Sequence, residues 1–252
     1  MPTSLDPLPP GFRLIAHRGA SVRAPENTAA AFRAAYETGS REVETDVQLT
    51  SDGVAILCHD KTLVRYGHGD RHVEACSYGE LAELDFGSWF DPAFSEERVV
   101  RLSDFLAEFS MLLRLHIELK GASPTLAAAT LDLAQQYGAA SQSVFTSFSF
   151  EQLERARAHR SQARLGWLVT EINDEVLGKA RELGLFQICP KAGNLTADAI
   201  NRALEVVPEV RAWGCPRHLE EARLCVRRLQ STGCSGITID EPLWIDPGTL
   251  AV

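Results

Sequence analysis

Along the chain, short runs rich in apolar and β-branched residues alternate with longer stretches of helical spacing. Eight runs read as strands: RLIAHRG (13–19), EVETDVQL (42–49), LRLHIEL (113–119), SVFTSF (143–148), ARLGWLVT (163–170), LFQICPK (185–191), EVRAWGC (209–215) and GITID (236–240). Amphipathic segments such as TAAAFRAAYETG, TLAAATLDLAQQYG and HLEEARLCVRRLQSTG lie between them. Gly39, Gly138, Gly184 and Gly233 close several of these segments, at the place glycine takes just past a helix C-terminus. Strand–helix alternation predicts a parallel sheet with helical crossovers. Eight strands predict an α/β fold closed into a (β/α)8 TIM barrel rather than an open sheet. The first turn, HRGASVRAPENT, has no GxGxxG, so a dinucleotide site of the Rossmann kind has no fingerprint.

The spacing breaks once, between strands 2 and 3. Residues 51–112 hold a hairpin-like VAILCHD and two helical patterns, SYGELAELD and RLSDFLAEF. This stretch reads as including an insertion in the loop after strand 2, on the face where barrels keep their active sites. No repeat or flexible linker interrupts residues 1–252, so a single domain is expected.

Composition agrees with this outline and narrows the function classes. At 252 residues the chain has the length of one barrel, about 250 residues. Mean hydropathy is −0.10, and no apolar run reaches the roughly 18 residues of a membrane span. The start, MPTSLDPLPPGF, lacks a basic region and an apolar stretch, so a cytoplasmic protein without stable membrane insertion is expected. Thirty-four acidic against 25 basic residues give a net charge of −9, which argues against nucleic acid as a partner. Six cysteines show no CxxC pair and no zinc-finger spacing, so they read as free, mostly buried thiols. Oligomeric state is not fixed by any of these features.

The period of two along strands sharpens the picture, because alternate side chains share a face. Val43, Thr45, Val47 and Leu49 form one face of strand 2; Glu44, Asp46 and Gln48 form the other. In strand 3, Leu115, Ile117 and Leu119 oppose His116, Glu118 and Lys120. If the apolar faces pack on the helices, Glu44, Asp46 and Glu118 converge inside the barrel. Converging carboxylates repel one another unless a cation joins them. A hard divalent ion, Mg²⁺ or Ca²⁺, suits oxygen ligands, whereas zinc prefers histidine and cysteine. The competing reading is a buried ionic network in which Arg18 and Lys120 pair with the acids.

His17 and His59 each end a strand beside this cluster, where two imidazoles can act as acid and base in phosphoryl transfer. The planar fork of Arg18 suits a phosphate, and Lys120 adds a point charge. Glu26 is read either as a first-turn helix stabiliser or as a catalytic group. Asp60 is expected to orient His59 or cap a turn, and His116 to sit deeper in the core. His68, His72, His159 and His218 read as structural or surface residues. Trp89, Phe90 and Phe94 give the insertion an apolar surface, either a lid over substrate or the packing that anchors the insertion.

HRG (17–19), PENT (25–28), ETDVQLTSDG (44–53), HD (59–60), ELDFGSWF (83–90) and IELK (117–120) together resemble the glycerophosphodiester phosphodiesterase family. The likeness continues more loosely through TSFSFEQL (146–153), the Trp213 strand and DEP (240–242). The resemblance implies a TIM barrel with an insertion after strand 2. It implies metal-dependent hydrolysis of a glycerophosphodiester to glycerol 3-phosphate and an alcohol. His17 and His59 would be the acid–base pair, Glu44, Asp46 and Glu118 the metal ligands, and Arg18 and Lys120 the phosphate contacts. The substrate's 2-hydroxyl would attack phosphorus, giving a cyclic phosphate that water opens. Alternatives are lysophospholipase D or phospholipase-type cleavage of a lipid phosphodiester, and a catalytically silent phosphodiester-binding barrel. The chain departs from the family pattern at Trp213-Gly214-Cys215-Pro216, at Ile239 before Asp240, and after Leu63-Val64-Arg65. These departures leave the catalytic groups in place and bear on the head group.

Overall fold

The computed structural model describes residue 8 and residues 11–245, so the reading of the first twelve residues falls almost wholly outside it. Ten strands form: β1 (Arg13–His17), β2 (Glu42–Leu49), β3 (Ala55–Leu57), β4 (Val100–Arg101), β5 (Arg114–Leu119), β6 (Ser143–Ser147), β7 (Leu165–Val169), β8 (Gln187–Pro190), β9 (Glu209–Ala212) and β10 (Gly236–Ile239). The eight strands other than β3 and β4 run parallel, each beside the next. Pairing of β1 with both β2 and β10 closes the cylinder. The eight predicted runs are these eight strands, and the fold is the expected (β/α)8 barrel.

Helices α1 (Ala29–Glu37), α2 (Tyr78–Ala82), α3 (Leu102–Phe109), α4 (Leu126–Gln136), α5 (Phe150–His159), α6 (Asp174–Leu183), α7 (Ala197–Leu204) and α8 (Leu219–Gln230) follow in chain order. The outer helices bury their apolar stripes on the outward faces of the strands. Val43, Val47 and Leu49 of β2 and Leu115, Ile117 and Leu119 of β5 all belong to this main core. Capping fixes the helix starts: Thr28, Ser149, Asn173 and Thr196 each accept a backbone N–H of the helix they precede. Phe105 and Phe109 of α3 pack on Phe32 of α1, with ring centroids 4.5 and 5.8 Å apart. Thus α3, the last part of the 51–112 stretch, lies in the outer helical layer as a crossover helix.

The remainder of that stretch builds its own small core. β3 pairs antiparallel with β2, and β4 with β3, extending one barrel strand sideways. Beneath them Ile56, Leu63, Val73, Leu81, Phe86 and Val99 form a second apolar cluster. Trp89 packs edge-on to Tyr66, Phe90 to Trp89 and Phe94 to Phe90. Of these aromatics Trp89 packs against the second cluster, and Phe90 and Phe94 continue the edge-on series, half-buried beside it.

The barrel interior is polar over much of its depth. His116 is fully buried, and its ring faces Glu42 with Nε2 2.9 Å from Oε2. Burial holds this imidazole down to about 4, against the pull of Glu42. Arg211 of β9 is the largest fully buried side chain; its guanidinium donates to Gln187 (3.3 Å), Thr238 and the Cys189 sulfur (3.7 Å). Among the described residues all six cysteines are free, four of them buried, and no helix is long and apolar enough to cross a membrane.

Gly19 is the tightest point of the first turn. Its φ is +84°, and a Cβ there would stand 2.6 Å from the backbone of Ala31 at the start of α1. Gly53, at φ +82°, faces open space. A side chain at Gly53 meets only backbone strain, of order 1 kcal/mol, whereas at Gly19 it must also displace α1. Gly19→Ala is therefore expected to lower the urea midpoint clearly more than Gly53→Ala; equal midpoints would contradict this close approach.

Candidate active site

The register of the barrel places the polar residues. His17 at the end of β1 lies beside Glu44 on β2, and Asp46 on β2 lies beside Glu118 on β5. The parallel strands present these side chains together at their C-terminal ends, as the period-two reading expects. One carboxylate oxygen from each of Glu44, Asp46 and Glu118 lies within 4.8 Å of the others, and all three residues are buried.

The turn after β1 supplies the countercharge. Arg18 adopts φ +59°, a strained left-handed conformation. Its N–H donates to the Glu44 carbonyl (2.9 Å), and its own carbonyl accepts from Asn27 N–H (3.0 Å). Held this way, Arg18 sends its guanidinium inward, to Glu26 (2.7 Å) and to Asp46 (3.1 Å). Asn27, also at φ +59°, donates to Asp46 Oδ2 (2.9 Å) while its amide oxygen accepts from Thr45 Oγ1 (2.8 Å). Asparagine tolerates that backbone better than most residues. Lys120 reaches Glu118 (3.1 Å) and Asp46 (3.5 Å) from the far side.

Charge is distributed unevenly over the three acids. Burial would raise the Asp46 carboxyl, but Arg18 and Lys120 outweigh it and hold the group well below the usual carboxylate range. Burial, then the neighbouring Asp46 and Glu118, drives Glu44 well above that range. Burial and Asp46 push Glu118 up to about 7. Glu44 Oε2 and Asp46 Oδ1 are buried without a hydrogen-bond partner. The three converging carboxylates form an all-oxygen donor set, which suits a hard divalent cation such as Mg²⁺ or Ca²⁺. The buried ionic network also forms: Lys120 stands 3.5 Å from Asp46 Oδ1, while neither Arg18 nor Lys120 forms an ion pair with Glu44 Oε2.

Both histidines border the same cavity, about 300 Å³ in volume, which Arg18, Glu44, Glu118 and Lys120 also line. His17 Nδ1 lies 2.6 Å from Asp240 at the end of β10, which leaves Nε2 on the side of Glu44, 3.9 Å away. His59 Nδ1 lies 2.8 Å from Asp60, whose carboxylate also accepts from Nε and Nη2 of Arg65, each at 2.8 Å. Burial lowers the His59 imidazole from its ordinary value, against the pull of Asp46. Asp60 thus orients His59, one of its two expected roles.

Glu26 does not take the first of its expected roles, that of a first-turn helix stabiliser. It precedes the Thr28 cap of α1 and so lies outside the first helical turn. Its carboxylate is buried between Arg18 and Arg65, tying the first turn to the insertion. The pairing of Asp240 with His17 joins residues 223 apart in sequence; the GITID strand end and the DEP segment marked Asp240 but not its partner. Phe148 and Trp213 form an aromatic wall, edge to face at 5.1 Å, and Arg211 and Arg217 complete the lining on the β9 side. Phe148 and Trp213 fall in segments of the looser family likeness, whereas Arg211 and Arg217 had no distinctive local pattern.

Residues 17–243 match the model of the glycerophosphoryl diester phosphodiesterase family. The chain belongs to this family. A provisionally named glycerophosphodiester phosphodiesterase of Bacillus subtilis is 31% identical over 240 residues, spanning 92% of this chain and 96% of that one. The glycerophosphodiester phosphodiesterase of Caldanaerobacter subterraneus is 26% identical over 235 residues, 91% and 94% of the two chains. Among solved structures, an Oleispira antarctica phosphodiesterase in complex with its product sn-glycerol 3-phosphate superposes with a TM-score of 0.85 at 26% identity, over 95% and 96% of the chains. The family consists of phosphoric diester hydrolases, and the chain is placed among them as an enzyme of that class.

The uneven protonation has a measurable consequence. In chelator, Glu44→Gln removes a strained carboxyl, so the variant should melt at or above wild type. With Mg²⁺ or Ca²⁺ at a hundredfold over Kd, wild type should gain about 2.7 kcal/mol, a shift of several degrees, and the variant far less. An equal ion-induced shift in both proteins would remove Glu44 from the cation site.

Proposed function

We propose that the enzyme hydrolyses glycerophosphodiesters to glycerol 3-phosphate and an alcohol in a reaction that depends on a divalent cation. One observation carries the reading: two histidines, each braced at Nδ1 by its own carboxylate, border one cavity with a three-carboxylate cluster, Arg18 and Lys120. The product bound by the Oleispira antarctica structure supports the glycerophosphate half of the substrate.

In this reading Glu44, Asp46 and Glu118 hold the cation, which neutralises charge on the phosphate when bound. Arg18 and Lys120 contact the phosphate oxygens and offset the charge that grows as phosphorus is attacked. The braced histidines leave their Nε2 atoms for proton transfer. One imidazole takes the proton of the glycerol 2-hydroxyl as that oxygen bonds to phosphorus. The other gives a proton to the alcohol oxygen as its P–O bond breaks. A cyclic phosphate results, and the roles reverse as water adds and the ring opens. Burial favours neutral His59, the form that accepts a proton, which suits it to act first as base. The orientation of each ring supplies much of the rate, since a fixed imidazole avoids the entropy of alignment.

The lipid-cleaving reading rested on the aromatics of the insertion, and Trp89, Phe90 and Phe94 are not among the residues that line the cavity. A silent barrel is disfavoured by the assembly of every proposed catalytic group around one cavity.

Purified protein with Mg²⁺ or Ca²⁺ should release glycerol 3-phosphate from a glycerophosphodiester, and excess chelator should abolish the release. His17→Ala and His59→Ala should each reduce kcat by about a hundredfold or more, the usual share of a general acid or base. Turnover in chelator would overturn the cation requirement, and near-wild-type turnover by either variant would remove that histidine from the reaction.

A further inference from the structure

The wall of the cavity that follows β9 departs from the family pattern, and its charge bears on the group that leaves. After β9 the chain reads Trp213-Gly214-Cys215-Pro216-Arg217. Arg217 lines the cavity with 67% of its side chain exposed. Its Nε donates to Asp240 Oδ2 at 2.5 Å, which fixes the guanidinium at the mouth. That contact engages one of its three nitrogens.

An aromatic wall such as Phe148 and Trp213 would ordinarily welcome a quaternary ammonium. Here each ring already faces an ammonium of the protein. Lys120 Nζ stands 5.8 Å from the Phe148 centroid, and Lys191 Nζ stands 5.8 Å from that of Trp213. Lys191 is also bridged by backbone to Trp213. Asp240, the carboxylate on this wall, is already committed to His17 and Arg217. The mouth therefore offers cations with unspent donors and no free acid on that wall, although the chain as a whole carries −9. A cationic head group would meet Lys120 and Arg217 in the cavity, with Lys191 nearby against the Trp213 ring. An anionic one would gain charge-assisted hydrogen bonds from Arg217 and favourable potential from Lys191.

We propose that Arg217, seconded by Lys191, selects diesters whose leaving alcohol carries a negative charge, such as a phosphate monoester, over those with a choline-like cation. The proposal rests on the phosphodiesterase reading above and names the substrate class of the same site. Arg217 would act as a specificity-determining residue at the mouth, with the chemistry left to the groups below it.

Three probes test it with the full chain: glycerophosphoglycerol, its head-group phosphate monoester, and glycerophosphocholine, each at 50 and 300 mM salt. Wild type should favour the phosphorylated head group over the uncharged one by about tenfold in kcat/KM, mostly through KM, with choline the poorest. The preference should shrink at high salt, because the contact is exposed. Arg217→Gln should erase most of the tenfold preference, Arg217→Lys should keep part of it, and Lys191→Gln should reduce it. Equal efficiency on the three probes, or a preference for choline, would overturn the proposal while leaving the phosphodiesterase reading intact. So would a uniform kcat loss for all probes in Arg217→Gln, which would mark a role through Asp240 and His17 instead. Failure of wild type to cleave any probe would overturn the underlying reading, and this proposal with it.

Discussion

The site depends on an electrostatic conflict built into two adjacent strands. The register that sets Asp46 beside Glu118, with Glu44 two residues earlier, concentrates three carboxylates where water cannot screen them. Such a group is unfavourable alone and must be neutralised by protons, by basic side chains or by a metal ion. The chain uses Arg18 and Lys120 for part of this, and both are held in the charged form because Asp46 and its neighbours outweigh the effect of burial. Asp46 receives most of that support. Glu44 and Glu118 remain reluctant to ionise, a conflict that the divalent cation of the proposed reaction would relieve.

The surrounding structure can be understood as a frame for this conflict. The strained turn at Arg18 and Asn27, closed by Gly19 against α1, aims a guanidinium and an amide at Asp46. The insertion contributes Asp60 and Arg65, which brace His59 and Glu26. Barrel closure brings Asp240, at the last strand, to His17, at the first. Each histidine is therefore positioned by a carboxylate from a part of the fold other than β2 and β5, which carry the acidic cluster.

What could be read from the chain follows from which contacts are local. Period-two alternation predicted the inward faces of strands 42–49 and 113–119, because alternation is a property of one strand alone. The same pattern correctly separated His116, deep in the barrel, from the cluster above it. Glu26 was harder, since its partner Arg65 comes from a loop whose course no local pattern specifies. The aromatics 89–94 were ambiguous for a related reason: hydrophobicity announces burial but not the surface that covers it. Arg211 and Arg217 gave no signal at all. One is satisfied by neutral groups on β8 and β10, and the other acquires meaning only from its place at the cavity mouth.

The central claim is that a divalent cation replaces protons on the buried acids. Isothermal titration calorimetry of Mg²⁺ or Ca²⁺ binding at pH 7, repeated in buffers of different ionisation enthalpy, counts the protons released. With Glu44 raised well above its usual range and Glu118 near 7, binding should release about one proton or more per ion. Saturable binding with no proton release would show that the acids are already ionised, and would contradict the account.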